Sequence, residues 1–225
     1  MSVRQPPSPK LILFDCDGTL VDSAAMISAT METAFRETGL TPPDPSETRA
    51  VVGLSLAQAM ARLAQDQAEE TQRRLVDAYR EAFVIKRQDD TLLEPLYEGI
   101  TDLLADFAAR GLLMGVATGK SRAGLDAVLA RHGIAERFIT LQTADNHPSK
   151  PHPAMVERAM AEAGCGPGET AVVGDTSFDM EMARAAGAYA LGVSWGYHPA
   201  HQLKSAGADR VVDRPAELEA ALFGP

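Results

Sequence analysis

Cysteine is nearly absent from this 225-residue chain: Cys16 and Cys165 stand far apart and form no ligand-like spacing. That excludes a disulfide framework and a thiolate metal site, and it predicts two reduced thiols in a reducing compartment. No apolar run approaches the length of a membrane span, and the opening residues MSVRQPPSPK contain no apolar stretch typical of secretion signals. The expectation is a cytoplasmic protein with a loose proline-rich leader over residues 1–9. Positive charge is scarce as well, with 21 Lys and Arg against 31 Asp and Glu, for a formal net charge of -10. Such a surface repels nucleic acid and anionic membranes, so neither is an expected partner, and an anionic ligand must be held by local cations. Internal repeats and low-complexity tracts are lacking too. The length suits one large core with a small accessory domain.

What is present is concentrated first in KLILFDCDGTLVDS, residues 10–23. Leu11, Ile12, Leu13 and Phe14 contain no polar residue, which predicts a strand buried on both faces of a parallel sheet. Asp15 and Asp17 follow, two apart, so in extended chain their side chains point to the same side. Gly18 and Thr19 add a tight turn and a hydroxyl. A strand followed by a solvated Asx turn would read the same way in isolation. Cys16, between two carboxylates that raise a thiol pKa, reads as a small buried filler and not a nucleophile.

From Ala24 to Leu93 every periodic segment is helical. Ile27, Met31, Ala34 and Phe35 share a face of a helix stopped by Gly39. After the Pro42, Pro43, Pro45 cluster, Ser46 is the expected cap of a short helix running to Gly53. Ser55 is the expected cap of the next, with Leu56, Ala59, Met60 and Leu63 at helical spacing, and Leu75, Tyr79 and Phe83 mark a longer one. From Glu94 onward strands and helices alternate, with strands predicted at 112–117, 138–141, 170–174, 189–193 and 210–212 and a closing helix at 215–222. The pattern is that of an α/β parallel sheet with right-handed crossovers. The first strand joins that sheet, so the expected domains are a core of residues 1–22 and 94–225 and an inserted all-α unit of residues 23–93. Val21 to Ser23 and Leu93 to Pro95 are the expected crossings.

Three further loops place polar groups just after predicted strands, which in a parallel sheet gathers them at the edge that carries Asp15 and Asp17. Thr118-Gly119-Lys120-Ser121 offers a hydroxyl and free backbone N–H groups at a helix start, suited to an anion. Pro148-Ser149-Lys150-Pro151-His152-Pro153 holds one lysine between prolines that restrict the backbone. Gly174-Asp175-Thr176-Ser177-Phe178-Asp179 supplies two carboxylates four apart, which on a helix start face one way. Each has an ordinary reading as a helix cap, a solvated loop lysine or an acidic helix N-terminus; their convergence is the signal. Asp15, Asp17, Asp175 and Asp179 brought together repel by about 4 kcal/mol per pair at roughly 4 Å and an effective dielectric of about 20. Hard carboxylate oxygens without thiolate or imidazole call for Mg²⁺, and Lys150 supplies further positive charge. His147 and His152 flank that lysine without other soft ligands and read as structural. Trp195 and Tyr197, after the 189–193 strand, either line the sheet edge or pack inside.

In this order, DCDGTLVDS, the Thr118 loop, SKPHP and GDTSFDM resemble the four motifs of the haloacid dehalogenase superfamily, and most closely the phosphoglycolate phosphatase branch, which inserts a helical cap after the first motif. The resemblance implies a Rossmann-like core with the first strand central. It implies Asp15 as nucleophile, Asp17 as general acid and base, and Thr118 and Lys150 as groups that hold and neutralise the phosphoryl oxygens. Amides around Gly18 and Gly119 join Thr118 in that role. Asp15, the backbone carbonyl of Asp17 and Asp175 are implied Mg²⁺ ligands, with Asp179 behind them or reaching the cation through water. The second motif has Thr-Gly where many relatives have Asn after the hydroxyl residue, a departure that costs little if the Asn acts through its N–H. The loop Gly53-Leu54-Ser55 corresponds to the one relatives point into the site, and Arg49, one turn earlier, is a candidate for an acid group on the substrate, although a solvated helix arginine is the plainer reading. The expected partner is a small phosphorylated metabolite, and the chain a monomer or homodimer. A β-phosphoglucomutase-like mutase and a non-enzymatic phosphorylatable binding protein keep the same motifs; a dehalogenase does not need Asp17.

Overall fold

The computed structural model describes residues 8–88 and 94–224; most of the leader and Leu93 of the second crossing lie outside them. Strand β1 (Leu11–Phe14) is wholly buried, and its alternation sends Leu11 and Leu13 into one apolar cluster and Ile12 and Phe14 into another. Five strands follow: β2 (Leu113–Thr118), β3 (Thr140–Thr143), β4 (Thr170–Gly174), β5 (Tyr189–Val193) and β6 (Arg210–Val212). All pair in parallel in the order β3-β2-β1-β4-β5-β6. Phe14 pairs with Val116 on one side and Val173 on the other, so β1, β2 and β4 end level. The order reverses direction at β1, and the crevice beyond such a reversal is where open α/β sheets bind ligands.

Between β1 and β2 come α1 (Ala24–Glu37), α2 (Pro45–Val51), α3 (Leu56–Leu63), α4 (Glu69–Lys86) and α5 (Ile100–Ala109). Met31 and Phe35 of α1, Met60 of α3 with Ala64 just after it, and Leu75 of α4 close a small core of their own. The later helices are α6 (Arg122–Arg131), α7 (Ala154–Ala163), α8 (Ser177–Ala185), α9 (Ala200–Ser205) and α10 (Leu218–Phe223). α5, α6 and α10 cover one face of the sheet, while α7, α8 and α9 cover the other. The two crossings run side by side: Asp22 N donates to Pro95 O (2.8 Å), Tyr97 N donates to Leu20 O (3.0 Å), and Val21 and Leu96 form an antiparallel bridge. Among the described residues no helix is long and apolar enough to cross a membrane.

Local structure departs from expectation in several places: α2 ends at Val51 and not Gly53, and the closing helix is a 3-10 turn at Pro215–Glu217 followed by α10. The cap of α2 is Asp44, not Ser46, because Pro45 suits the first helical position and Asp44 N donates to Glu47 Oε2 (2.8 Å). β3 begins two residues later than predicted, since Phe138 is drawn edge-on against Phe14 at 6.5 Å before pairing starts at Thr140. β2 is shifted by one residue, which puts Thr118 on the strand itself. α9 has only Leu203 buried and therefore carries no periodic signal.

Candidate active site

Asp15 leaves β1 almost completely buried. Its Oδ1 accepts from Cys16 N (2.7 Å) and pairs with Lys150 Nζ (2.9 Å), whereas its buried Oδ2 has no hydrogen-bond partner among the described residues. Lys150, fully buried, also reaches Asp179 Oδ1 (2.7 Å). Asp175 is fixed by Thr19 Oγ1 on one oxygen (2.7 Å) and Tyr197 N on the other (2.9 Å). Gly18, at φ +83°, and Gly196 pack so tightly on that carboxylate that a Cβ at either would collide with it. Asp175 and Asp179 do not share a helix turn as expected: Asp175 precedes the α8 N-cap, Thr176, and Asp179 completes a capping box with it. Thr176 donates to Asp179 Oδ2 from N (3.0 Å) and from Oγ1 (2.7 Å).

Carboxylate oxygens of Asp15, Asp175 and Asp179 lie within 4.8 Å of one another. Burial lifts Asp15 to a pKa of about 7, with Asp179 and Asp17 adding to the rise and Lys150 opposing it. Burial, then Asp15 and Asp179, raises Asp175. For Lys150 burial acts downward, but Asp15 and Asp179 outweigh it and hold the ammonium charged. The crowded acids Asp15, Asp175 and Asp179 and their all-oxygen donor set fit a small hard divalent cation. Asp179, whose two oxygens already accept from Lys150 and Thr176, is the least free of the three to act as a ligand.

The second acid has a separate lysine. Asp17 Oδ1 pairs with Lys120 Nζ at 2.8 Å, and the same ammonium reaches Glu94 Oε1 at 2.8 Å. Burial opposes the charge on Lys120, yet Asp17 and Glu94 raise its pKa well above the ordinary value. Sequence reasoning named the loop but gave Lys120 and Glu94 no role, because the pair spans a loop and a crossing remote in sequence. Thr118 is buried, and its Oγ1 accepts from Lys120 N (3.3 Å), which directs its own proton elsewhere. Gly119 lies under the loop between α2 and α3: a Cβ there would strike the carbonyls of Gly53 and Leu54. Ser55 caps α3 as expected, accepting from Gln58 N (3.4 Å), and its own N–H donates to Ser149 Oγ (2.7 Å). Val51, Leu54 and Ala59 complete the seal against Phe178 of α8.

These contacts enclose a cavity of about 330 Å³ between the sheet edge and α1–α4, lined by Asp15, Asp17, Thr118, Gly119, Lys120 and Ser55 among others. Arg49 is not brought to it: Thr48 and Val51 form the inward face of α2, while Arg49 is exposed and donates to Pro45 O (3.3 Å). Tyr79, Arg80 and Phe83 of α4, with Arg87 at its C-cap, line it instead. Trp195 Nε1 donates to Thr19 O (3.2 Å) and the Tyr197 hydroxyl meets Ser23 Oγ (3.0 Å), so both brace the first loop. His147 Nε2 bonds Gln142 Oε1 (2.8 Å), and His152 Nδ1 accepts from Ala154 N (3.2 Å). Burial, reinforced by Asp17, raises the Cys16 thiol.

The model of a family described as haloacid dehalogenase-like hydrolase matches residues 12–193. "Probable phosphatase IndB" of Dickeya dadantii is 35% identical over 215 residues, covering 94% of this chain and 92% of that protein. The N-acetylmuramic acid 6-phosphate phosphatase of Pseudomonas aeruginosa is 34% identical, covering 93% and 92%. Bacterial phosphoglycolate phosphatases align at 26–30% identity. Among solved structures, "Crystal structure of a predicted phosphatase from Clostridium acetobutylicum" superposes with a TM-score of 0.86 at 26% identity, covering 96% of this chain and 98% of that one.

Proposed function

The chain belongs to the haloacid dehalogenase-like hydrolase family and is a phosphoric monoester hydrolase; from that premise we propose that it is Mg²⁺-dependent and hydrolyses a small phosphomonoester, of the 2-phosphoglycolate or sugar phosphate type, through an aspartyl-phosphate on Asp15. The unpartnered Oδ2 of Asp15 carries the reading. A buried carboxylate oxygen without a donor is costly unless it has a task, and attack on phosphorus is one. Lys150 holds Oδ1 and so leaves Oδ2 as the attacking atom. As the P–O ester bond breaks, Asp17 gives its proton to the leaving alkoxide; it then takes a proton from the water that attacks the aspartyl-phosphate, and inorganic phosphate leaves with Asp15 restored. Lys120 positions Asp17 for both steps. Thr118 and the amides at Gly18 and Gly119 hold phosphoryl oxygens.

Asp15, Asp175 and the Asp17 carbonyl would hold Mg²⁺, with Asp179 behind them. When bound, the cation supplies the positive charge that lets an anionic nucleophile approach an anionic phosphoryl group. Residues 23–93 act as a cap over a core of residues 1–22 and 94–225, excluding water and reading the leaving group. The test is phosphate release from a panel of phosphomonoesters with Mg²⁺ or with chelator. Multiple turnovers that vanish with chelator, and fall by on the order of 10³-fold or more in Asp15→Asn, are expected. Turnover that survives Asp15→Asn would exclude the covalent route.

A further inference from the structure

Phosphoryl chemistry occupies the sheet side of the cavity, and the helical side has a different character. Along α4 and its C-cap, Tyr79, Arg80, Phe83 and Arg87 line the cavity, whose wall also includes the apolar side chains of Ile27 and Val52. Lys120, below them, is already matched by Asp17 and Glu94 and has no charge left for a ligand. Arg87 has no carboxylate within ion-pair distance among the described residues, and its guanidinium lies over the Phe83 ring, 6.0 Å from the centroid. The same ring stands 5.2 Å from Lys120 Nζ, which ties this stretch of α4 to the loop that follows Thr118. Among the described residues Arg80 pairs with Asp77, at 3.6 Å and with both side chains largely exposed, a contact of little worth. Two arginines that are weakly committed among the described residues therefore line the cavity of a chain whose net charge is -10.

The volume narrows the ligand further. About 330 Å³ is room for roughly ten waters and stands at the lower end of the range for small-molecule pockets. A two-carbon acid such as glycolate fills only a fraction of it, and a hexose-sized leaving group fits. Resting on the phosphatase reading above, we propose that Arg87, assisted by Arg80, is a carboxylate-binding subsite, and that the preferred substrate is a phosphomonoester whose leaving group is a sugar-sized acid. The guanidinium fork takes a carboxylate through two parallel hydrogen bonds, the Phe83 ring holds it in place, and the apolar wall receives the uncharged body of the sugar.

Matched pairs test this with the full chain: N-acetylmuramic acid 6-phosphate against N-acetylglucosamine 6-phosphate, and 6-phosphogluconate against glucose 6-phosphate, with p-nitrophenyl phosphate and 2-phosphoglycolate alongside. In at least one pair the acidic member is expected to have a kcat/KM about tenfold or more above its neutral partner. In Arg87→Gln that ratio falls to near one through KM, and Arg87→Lys retains part of it. Arg73→Gln, an exposed change elsewhere on α4, leaves the ratio unchanged. Equal turnover within both pairs, or a ratio that survives Arg87→Gln, overturns the subsite while p-nitrophenyl phosphate hydrolysis leaves the phosphatase standing. No Asp15-dependent release from any compound overturns the phosphatase reading, and the subsite with it.

Discussion

Lys150 and Lys120 are both buried, and each joins one acid of the proposed chemistry to a second carboxylate: Lys150 links Asp15 to Asp179, and Lys120 links Asp17 to Glu94. Removing one member of such a set strands the others without water, at about 3–5 kcal/mol. Lys120→Met is therefore expected to lower Tm by several degrees and to reduce kcat. Adding Glu94→Gln, which relieves one of the two stranded carboxylates, should recover part of the Tm but not the kcat, a divergence that calorimetry and kinetics together would detect. Asp17→Asn is expected to cost about 10²- to 10⁴-fold in kcat on alkyl phosphates and distinctly less on p-nitrophenyl phosphate, whose leaving group needs no proton. Equal losses on both would remove Asp17 as the acid. Residues that act at the end of their own strand were legible in the sequence, because a carboxylate after an apolar run announces itself. Lys120 and Glu94 were not, since their meaning lies in a pairing that only the folded chain creates. Arg49 could be placed either way, because a single turn on a short helix does not show which side faces inward; the structure leaves it exposed, the plainer of the two readings.

Elements differ in the same way. β1, β4 and β5 were readable to the residue because burial on both faces leaves a nearly continuous apolar run, whereas β3 at the sheet edge and the six-residue α9 carry weaker patterns. The loop between α2 and α3 shows what one missing side chain permits. Its carbonyls at Gly53 and Leu54 rest on Gly119, so the absence of an asparagine there, which looked like a minor departure, is what allows this close seating. Gly119→Ala should lift the loop, lower kcat/KM by about tenfold or more through lost positioning, and leave Tm nearly unchanged, because the cost falls on a contact between units and not within either core. Kinetics and a thermal melt of the same sample would test it; unchanged kcat/KM would mean that the loop need not close on the sheet.

At the level of the whole molecule, the Mg²⁺ proposed above would compete with protons for one cluster. Asp15 titrates near 7 against an ordinary 3.8 because burial disfavours its charge. A carboxyl raised in this way binds its proton more tightly when folded, so its contribution to stability is complete below the ordinary range and is lost as pH climbs through about 7. A cation in the cluster replaces that proton. Mg²⁺ is thus expected to raise Tm by several degrees at about pH 8 and by much less at about pH 5, and equal shifts at both would place its binding elsewhere. The paired crossings, with Asp22 bonded to Pro95 and Tyr97 to Leu20, have a consequence of a different order. The inserted helices enter and leave the chain at one point in space, so a lineage can lengthen, shorten or exchange that module while the sheet recloses with a tight turn. Selectivity for the leaving group is then free to diversify among descendants whose hydrolytic apparatus stays the same.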